Sequence, residues 1–377
     1  MATHGPVSST SFRRSGERAQ LRGTRINANN RLACTHTGVR ALDRVLGGGI
    51  AVGSLLLIEE DEGECYSRVL MKCYLAEGVV CGHQLYLASA QERPDDIIQD
   101  LPCPVSEEVS DSPVGSDSPD EMRIAWRYQN LPKVSSELSS LSQFGHNFDV
   151  SRKMASQTLQ DARFHTFYLP EETQTQTHNR CVGPYEGLLK SIQEVIQGEG
   201  FDGSVSQGKV RNVLRLGLHS LGSTLWGDDI CVSESPAHSH ALTSFLYSLR
   251  ALLRSSLSVA VVTVPAHLIQ SRELRGRVEK VCDAVVALES FNSSETNPMY
   301  KDYHGLIHIR QVPCLNGLVC EVPDNKDLAF KLRRKQFSIE KLYLPPDLSE
   351  TVSRVTKDKG AWSQGCDSDH SRKQLEF

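Results

Sequence analysis

Nowhere in this 377-residue chain does the pattern Gly-x-x-x-x-Gly-Lys-Ser/Thr occur. An ordinary P-loop is thereby excluded, because that pattern supplies the backbone amides, the lysine charge and the magnesium-binding hydroxyl that hold a polyphosphate. Also missing is any Cys-x-x-Cys pair among the eleven cysteines. Cys231 stands near His238 and His240, but no second pair completes a zinc spacing, so no metal is expected. Cysteines scattered in this way suit a reducing compartment. No apolar run reaches the roughly 18 residues of a membrane-spanning helix. An excess of positive charge is absent too: the formal net charge is −5. Any contact with RNA is then confined to local basic patches.

What is present divides the chain into three parts. Residues 1–31 carry six arginines and one acid, Glu17. Such a composition fits a mitochondrial transit peptide or a disordered basic tail. Phe12, Leu21 and Ile26 form no apolar stripe, which favours the tail. Residues 32–350 read as one folded domain with an acidic, disordered insertion at 104–122. Within it "SEEVSDSPVGSDSPDE" has six acids and no bases, the mark of a solvated loop. Its Ser-Pro steps at Ser112 and Ser118 are either turns or phosphate acceptors. Residues 351–377 form a polar C-terminal tail.

Inside the domain, strand patterns alternate with helical ones. Strands are expected at 54–59, 84–89, 123–128, 213–219, 257–264, 283–289 and 305–312. The clearest helix is 239–254, where Leu242, Phe245, Leu246, Leu249, Leu252 and Leu253 recur at one-face spacing behind Ser239 as N-cap. Strands at 257–264 and 283–289 are apolar throughout, as strands covered on both faces are. The pattern predicts an α/β fold with a mostly parallel central sheet flanked by helices. Ligands of such sheets bind beyond the carboxyl ends of the strands.

The stretch "LLLIEEDEGECYSRVLMKC" places a strand, loop and helix at that end. It has the outline of a nucleotide loop with the wrong residues. Glu60 occupies the first glycine position, Cys65 the second and Tyr66 that of the lysine; Gly63 and Ser67 alone suit the old roles. Glu59, Glu60, Asp61, Glu62 and Glu64 add negative charge where a polyphosphate would sit.

The preceding "TGVRALDRVLGGGIAVGS" resembles the opening motif of RecA-like ring ATPases of the KaiC and RadA type, through Thr37, Gly38, Leu42, Asp43, Leu46, Gly47, Gly48, Gly49 and Gly53. The resemblance implies a RecA-like, P-loop-type fold with degenerate Walker motifs. "LYLASAQERPDDI" is similar to the second strand of those enzymes, with Gln91 and Glu92 where two acids precede a proline and the first polarises water. "VLRLGLHSLGS" resembles the Walker B strand, with His219 in place of the metal-orienting aspartate. "FKLRRKQFSIEKL" resembles the last strands, whose K-x-R reaches a neighbouring subunit's nucleotide; here these are Lys331 and Arg333.

Further along, "RIAWRYQNLPK", "FGHNFD", "LGSTLWGDDIC", "NPMYKDYHGLIHIRQVP" and "KLYLPPDLSETVSR" resemble the Elongator complex protein 4 family over most of residues 34–354. That resemblance implies a cytoplasmic and nuclear, non-catalytic subunit of a tRNA-modifying complex. It would form a hetero-hexameric ring with Elongator proteins 5 and 6, alongside Elongator proteins 1, 2 and 3. The ring binds tRNA in support of wobble-uridine (U34) modification, and the chemistry belongs to another subunit. No cofactor and no membrane partner is expected. The competing reading is an active RecA-like ATPase acting on nucleic acid; losses at Tyr66, Gln91 and His219 speak against it.

Two contact sites remain open. The cluster Lys331, Arg333, Arg334 and Lys335 is a solvated strand end, a subunit interface or an RNA contact. Trp226 either stacks on a base or is buried at an interface. His304 and His308 are expected at core-adjacent or ladder positions without a catalytic role.

Overall fold

The computed structural model describes residues 21–27, 30–105, 145–175, 183–203, 212–227, 236–291, 303–316, 328–333 and 336–342. The chain divides into units Met1–Lys341 and Leu342–Phe377, and every element below belongs to the first. The expected strand at 123–128, Ser112, Ser118, residues 1–20, the acidic insertion beyond 105, Cys231, Arg334, Lys335 and the polar tail lie outside the described residues.

In chain order the elements are β1 (Thr24–Ile26), β2 (Ala33–Thr35), α1 (Arg40–Val45), β3 (Ile50–Ala51), β4 (Leu55–Glu59), α2 (Cys65–Cys81), β5 (Gln84–Ser89), α3 (Pro94–Gln99), β6 (Pro102–Pro104) and β7 (Phe148–Lys153). Then come α4 (Ser156–Asp161), β8 (Phe164–Tyr168), α5 (Leu169–Thr175), α6 (Pro184–Gly198), β9 (Leu214–Leu218), α7 (Pro236–Ser255), β10 (Ser258–Val264), α8 (Arg272–Val281), β11 (Ala284–Ser290), β12 (Gly305–Gln311), β13 (Leu328–Leu332) and β14 (Phe337–Lys341).

Among the described residues the central sheet has nine strands, in the order β14-β13-β12-β11-β4-β10-β9-β5-β8. From β11 to β8 all neighbours are parallel. From β11 to β14 they are antiparallel. The mostly parallel sheet is therefore present, with an antiparallel extension at one side.

Side-chain alternation explains why the middle strands are apolar at every position. Leu55 and Leu57 of β4 enter a core with α6 and α7 residues such as Leu188, Ile192, Leu242 and Leu249. Leu56 and Ile58 enter the opposite core with Leu70, Met71 and Leu75 of α2. Each strand thus has two inward faces and no solvent face.

Three expectations need correction. Helix α7 begins at Pro236, so Ser239 lies inside it and is not its N-cap; a proline suits the first turn because its missing N–H has no intrahelical partner there. The basic tail was expected to run to 31, yet β1 pairs with β2 in the register Thr24↔Thr35. Local composition there is basic, but backbone pairing recruits it into a small sheet. Trp226 is neither base-facing nor at a surface: it is fully buried in the chain, between Phe167 at 6.4 Å and Tyr185 at 5.9 Å.

The glycine-rich opening motif has steric reasons. Gly38 has φ +86°, and a Cβ there would stand 2.2 Å from the Cys73 carbonyl oxygen of α2. A Cβ on Gly49 (φ +108°) would meet the Thr35 oxygen at 2.4 Å. Both positions need a residue without a side chain.

Candidate functional site

The carboxyl ends of β4, β10, β9 and β5 come together where the sequence places the degenerate nucleotide loop. Helix α2 starts there, so its first amides point into the loop with no intrahelical acceptor. In a phosphate-binding loop these amides hold phosphate oxygens. Here they hold Asp61. Its Oδ2 accepts from the Cys65 amide at 3.0 Å, and its Oδ1 accepts from the Tyr66 amide at 3.1 Å and the Ser67 amide at 2.9 Å. The Glu64 amide donates to the Asp61 carbonyl at 2.8 Å and closes the turn, with Glu64 in the left-handed region at φ +53°. Asp61 is 1% exposed. The negative charge suits the positive end of a 17-residue helix.

The remaining loop residues are likewise turned inward or away from nucleotide chemistry. Gly63 is exposed, and a Cβ there would meet only ordinary contacts, the nearest at 3.7 Å. Its glycine is not demanded by a close approach of neighbouring protein atoms. Tyr66, in the lysine position, packs edge-on against Phe330 of β13 with ring centroids 4.7 Å apart, and lies 5.9 Å from His304. Ser67 is buried and Cys65 exposed.

Glu60, next to Asp61 in the chain, is also buried. Ser220 Oγ donates to its Oε2 at 3.3 Å, while Oε1 has no partner. Burial pushes its pKa up to about 7, helped by the charges of Glu64 and Asp61 and opposed by hydrogen bonds from Thr263 and Ser220. His219, which the sequence resemblance sets at the Walker B aspartate position, is buried with Nδ1 unpartnered. Burial, with the cations of Arg68 and Lys72, lowers its pKa to about 4. It is a neutral imidazole at physiological pH. Its carbonyl accepts from Trp226 Nε1 at 3.4 Å. Gln91 is exposed, and Glu92 is taken up by an ion pair with Arg68.

The structure thus gathers Gly63, Cys65, Tyr66, Ser67, Gln91, Glu92 and His219 around one end of the sheet. It places the basic cluster otherwise. Lys331 is buried, bonded to Glu340 at 2.6 Å and set over the Tyr303 ring at 5.4 Å. Arg333 is exposed at the β13–β14 turn. His308 of β12 bonds Glu289 across the ladder at 2.7 Å, and His304, just before β12, accepts at Nδ1 from the Leu332 amide at 3.2 Å.

Sequence reading treated Asp61 as one repelling charge among several. Its bonds to the first amides of α2 had no positional mark in the sequence, because the residue directly before the helix is Glu64 and a capping signal is read at that position. Two further groups were missed. Arg215 in the middle of apolar β9 is fully buried and reaches His83 Nδ1, the His36 carbonyl and the Tyr74 carbonyl at 2.9, 2.8 and 3.1 Å. Glu77, in the apolar stretch of α2, accepts from the His146 amide at 3.1 Å and contacts its Nδ1 at 3.2 Å. Among the described residues, Glu77, Cys81 and His146 are the one group with metal-ligating atoms within 4.8 Å of one another. The charge of Arg215 already acts on Glu77, and a buried cation at that place opposes a second one.

The profile of the PAXNEB protein family matches residues 17–377. Elongator complex protein 4 of Danio rerio is 57% identical over 346 residues, spanning 89% of this chain and 87% of that protein. The human protein of the same name is 49% identical over 95% of this chain and 90% of its own length. The Saccharomyces cerevisiae protein is 23% identical over 84% and 74%. Among solved structures, a KaiC-like protein, PH0186 of Pyrococcus horikoshii OT3, covers 82% of this chain and 99% of its own, with a TM-score of 0.44 and 11% identity.

Proposed function

This chain belongs to the PAXNEB family, with Elongator complex protein 4 among its relatives, and from that premise we propose that it is a non-catalytic, RecA-like subunit of the Elongator complex. It forms a hetero-hexameric ring with Elongator proteins 5 and 6 and joins Elongator proteins 1, 2 and 3 in the full assembly. The ring binds tRNA in support of wobble-uridine (U34) modification, in cytoplasm and nucleus. The observation that carries the non-catalytic reading is the occupied loop: three amides at the start of α2 are spent on Asp61. Around it, tyrosine, glutamine and histidine stand where lysine, glutamate and aspartate would act. Losing one such group commonly costs a factor of 10² or more. Of the basic cluster, exposed Arg333 is the described residue free to meet a neighbour or a phosphate, since Lys331 is engaged within the chain.

Co-expression with Elongator proteins 5 and 6 followed by native mass spectrometry is the test. A six-membered particle with this chain in it is expected, and the purified chain should turn over no ATP. Turnover that survives repurification and is lost in Ser67→Ala would establish the active-ATPase reading instead. Ring affinity for tRNA should fall steeply between about 50 and 200 mM salt, as shared phosphate contacts require, with the lone chain binding weakly throughout.

A further inference from the structure

We propose that Asp61 is a built-in phosphate surrogate, which fills the amide cradle of the β4–α2 loop and, through Tyr66, holds the β13–β14 hairpin in an arrangement that needs no nucleotide. This goes beyond a subunit that does not hydrolyse ATP. It says what the site holds in place of a ligand, and what that occupant does elsewhere.

The geometry is specific. Three consecutive amides converge on one carboxylate at 3.0, 3.1 and 2.9 Å. The carboxylate is 1% exposed, so the cradle is closed as well as occupied. An external phosphate would have to displace a group that is covalently tethered four residues away and therefore always present at high effective concentration. It would also meet Glu60, buried at the same place.

The same loop is joined to the sheet's antiparallel side. The Tyr66 amide is held by Asp61, and the Tyr66 ring packs on Phe330 of β13 at 4.7 Å. Phe330 in turn stacks on Phe337 of β14 at 5.3 Å. Direct contacts thus run from the cradle to the edge strand. In a hydrolase, a ligand that comes and goes would set this loop; here a residue of the chain sets it permanently. Any response of a larger assembly to nucleotide must then originate in another chain.

Hydrogen–deuterium exchange on the full chain tests both halves. Millimolar Mg–ATP or pyrophosphate should leave amides 65–67 and strands 328–332 and 337–341 of the wild type unchanged. Asp61→Asn keeps the shape but removes the charge and one acceptor. It should speed exchange at 65–67 by ~10-fold or more, the signature of local opening, and speed the hairpin as well. Tyr66→Leu should loosen the hairpin while leaving 65–67 protected. Protection of the wild-type loop by pyrophosphate would overturn the surrogate. A loosened loop beside an unchanged hairpin, or an unchanged hairpin in Tyr66→Leu, would overturn the coupling. Should Asp61→Asn fail to fold, the ligand and Tyr66→Leu measurements decide alone. Failure to assemble with Elongator proteins 5 and 6 would sink the ring reading and leave this one standing.

Discussion

Helix α2 has a buried charged cluster near each end, and the two bury their charges by opposite means. Toward its C-terminus Glu77 stays ionised: burial alone would raise its pKa, but the hydrogen bond from His146 and the charges of His36 and Arg215 bring it down to about 2. Near its N-terminus Glu60 is pushed up to about 7, and His219 down to about 4. Pairing preserves charge at one end; desolvation discharges it at the other. The discharged end is the one that the sequence resemblance expects at a nucleotide site, where a full metal-binding carboxylate would be needed. A buried acid that is half-protonated near neutrality and a neutral imidazole are poor substitutes for that electrostatics.

Removing a charge should therefore have opposite consequences at the two ends. The largest effect is expected from Arg215→Leu, which leaves Glu77 buried with its main non-histidine cation gone. A loss of about 3–5 kcal/mol is expected, as for other broken buried pairs, read as a lowered midpoint of urea unfolding. An unchanged midpoint would show that the two ends do not differ as described.

Glu60→Gln should instead be tolerated or stabilising. Its folded pKa lies above the unfolded value, so its contribution is full below about 4.5 and is lost as pH rises to about 7. The variant minus wild-type stability should rise across that window by up to about 3 kcal/mol. His219→Gln should show the reverse slope. A depressed histidine binds fewer protons folded than unfolded, so wild-type stability from this group grows between about 4 and 6.5. The variant should flatten that rise, by about 2–3 kcal/mol at the acid end. In the overlapping range the two slopes oppose each other, and thermal melts of the double variant should show little net change in slope.

The smallest effect belongs to Lys331→Met. Its partner Glu340 is partly exposed, and such pairs contribute roughly 1 kcal/mol or less. A small drop in melting temperature without loss of the proposed ring assembly would confirm an intramolecular role. Loss of assembly at unchanged melting temperature would return Lys331 to the subunit boundary.

Strand and helix positions were legible because their signals are local. The run 257–264 is apolar at every residue, and it became β10 with both faces covered. The expected helix 239–254 became α7 with a start three residues earlier, because apolar spacing marks the buried face and says little about the first turn. Six strand positions emerged within a residue or two; the seventh, 123–128, lies outside the described residues. The candidate site was half legible. The absent lysine, the glutamine and the histidine are visible as letters. Trp226 was misread, since a lone tryptophan in a polar stretch carries no mark of the Phe167 and Tyr185 rings that enclose it.

The sequence by itself determined that no ordinary P-loop exists in this chain, because chemistry that depends on residue type is lost when the type is lost. It also determined the α/β alternation, because periodicity is a property of neighbours along the chain. Only the tertiary structure decided what occupies the loop between β4 and α2. Whether Asp61 repels a phosphate or replaces one depends on where three amides point, and that depends on the angle at which α2 leaves β4. Whether Lys331 faces outward or meets Glu340 depends on the register of β13 against β14, Lys331 opposite Ser338. Neither quantity is local, and each follows from how distant strands close into one sheet.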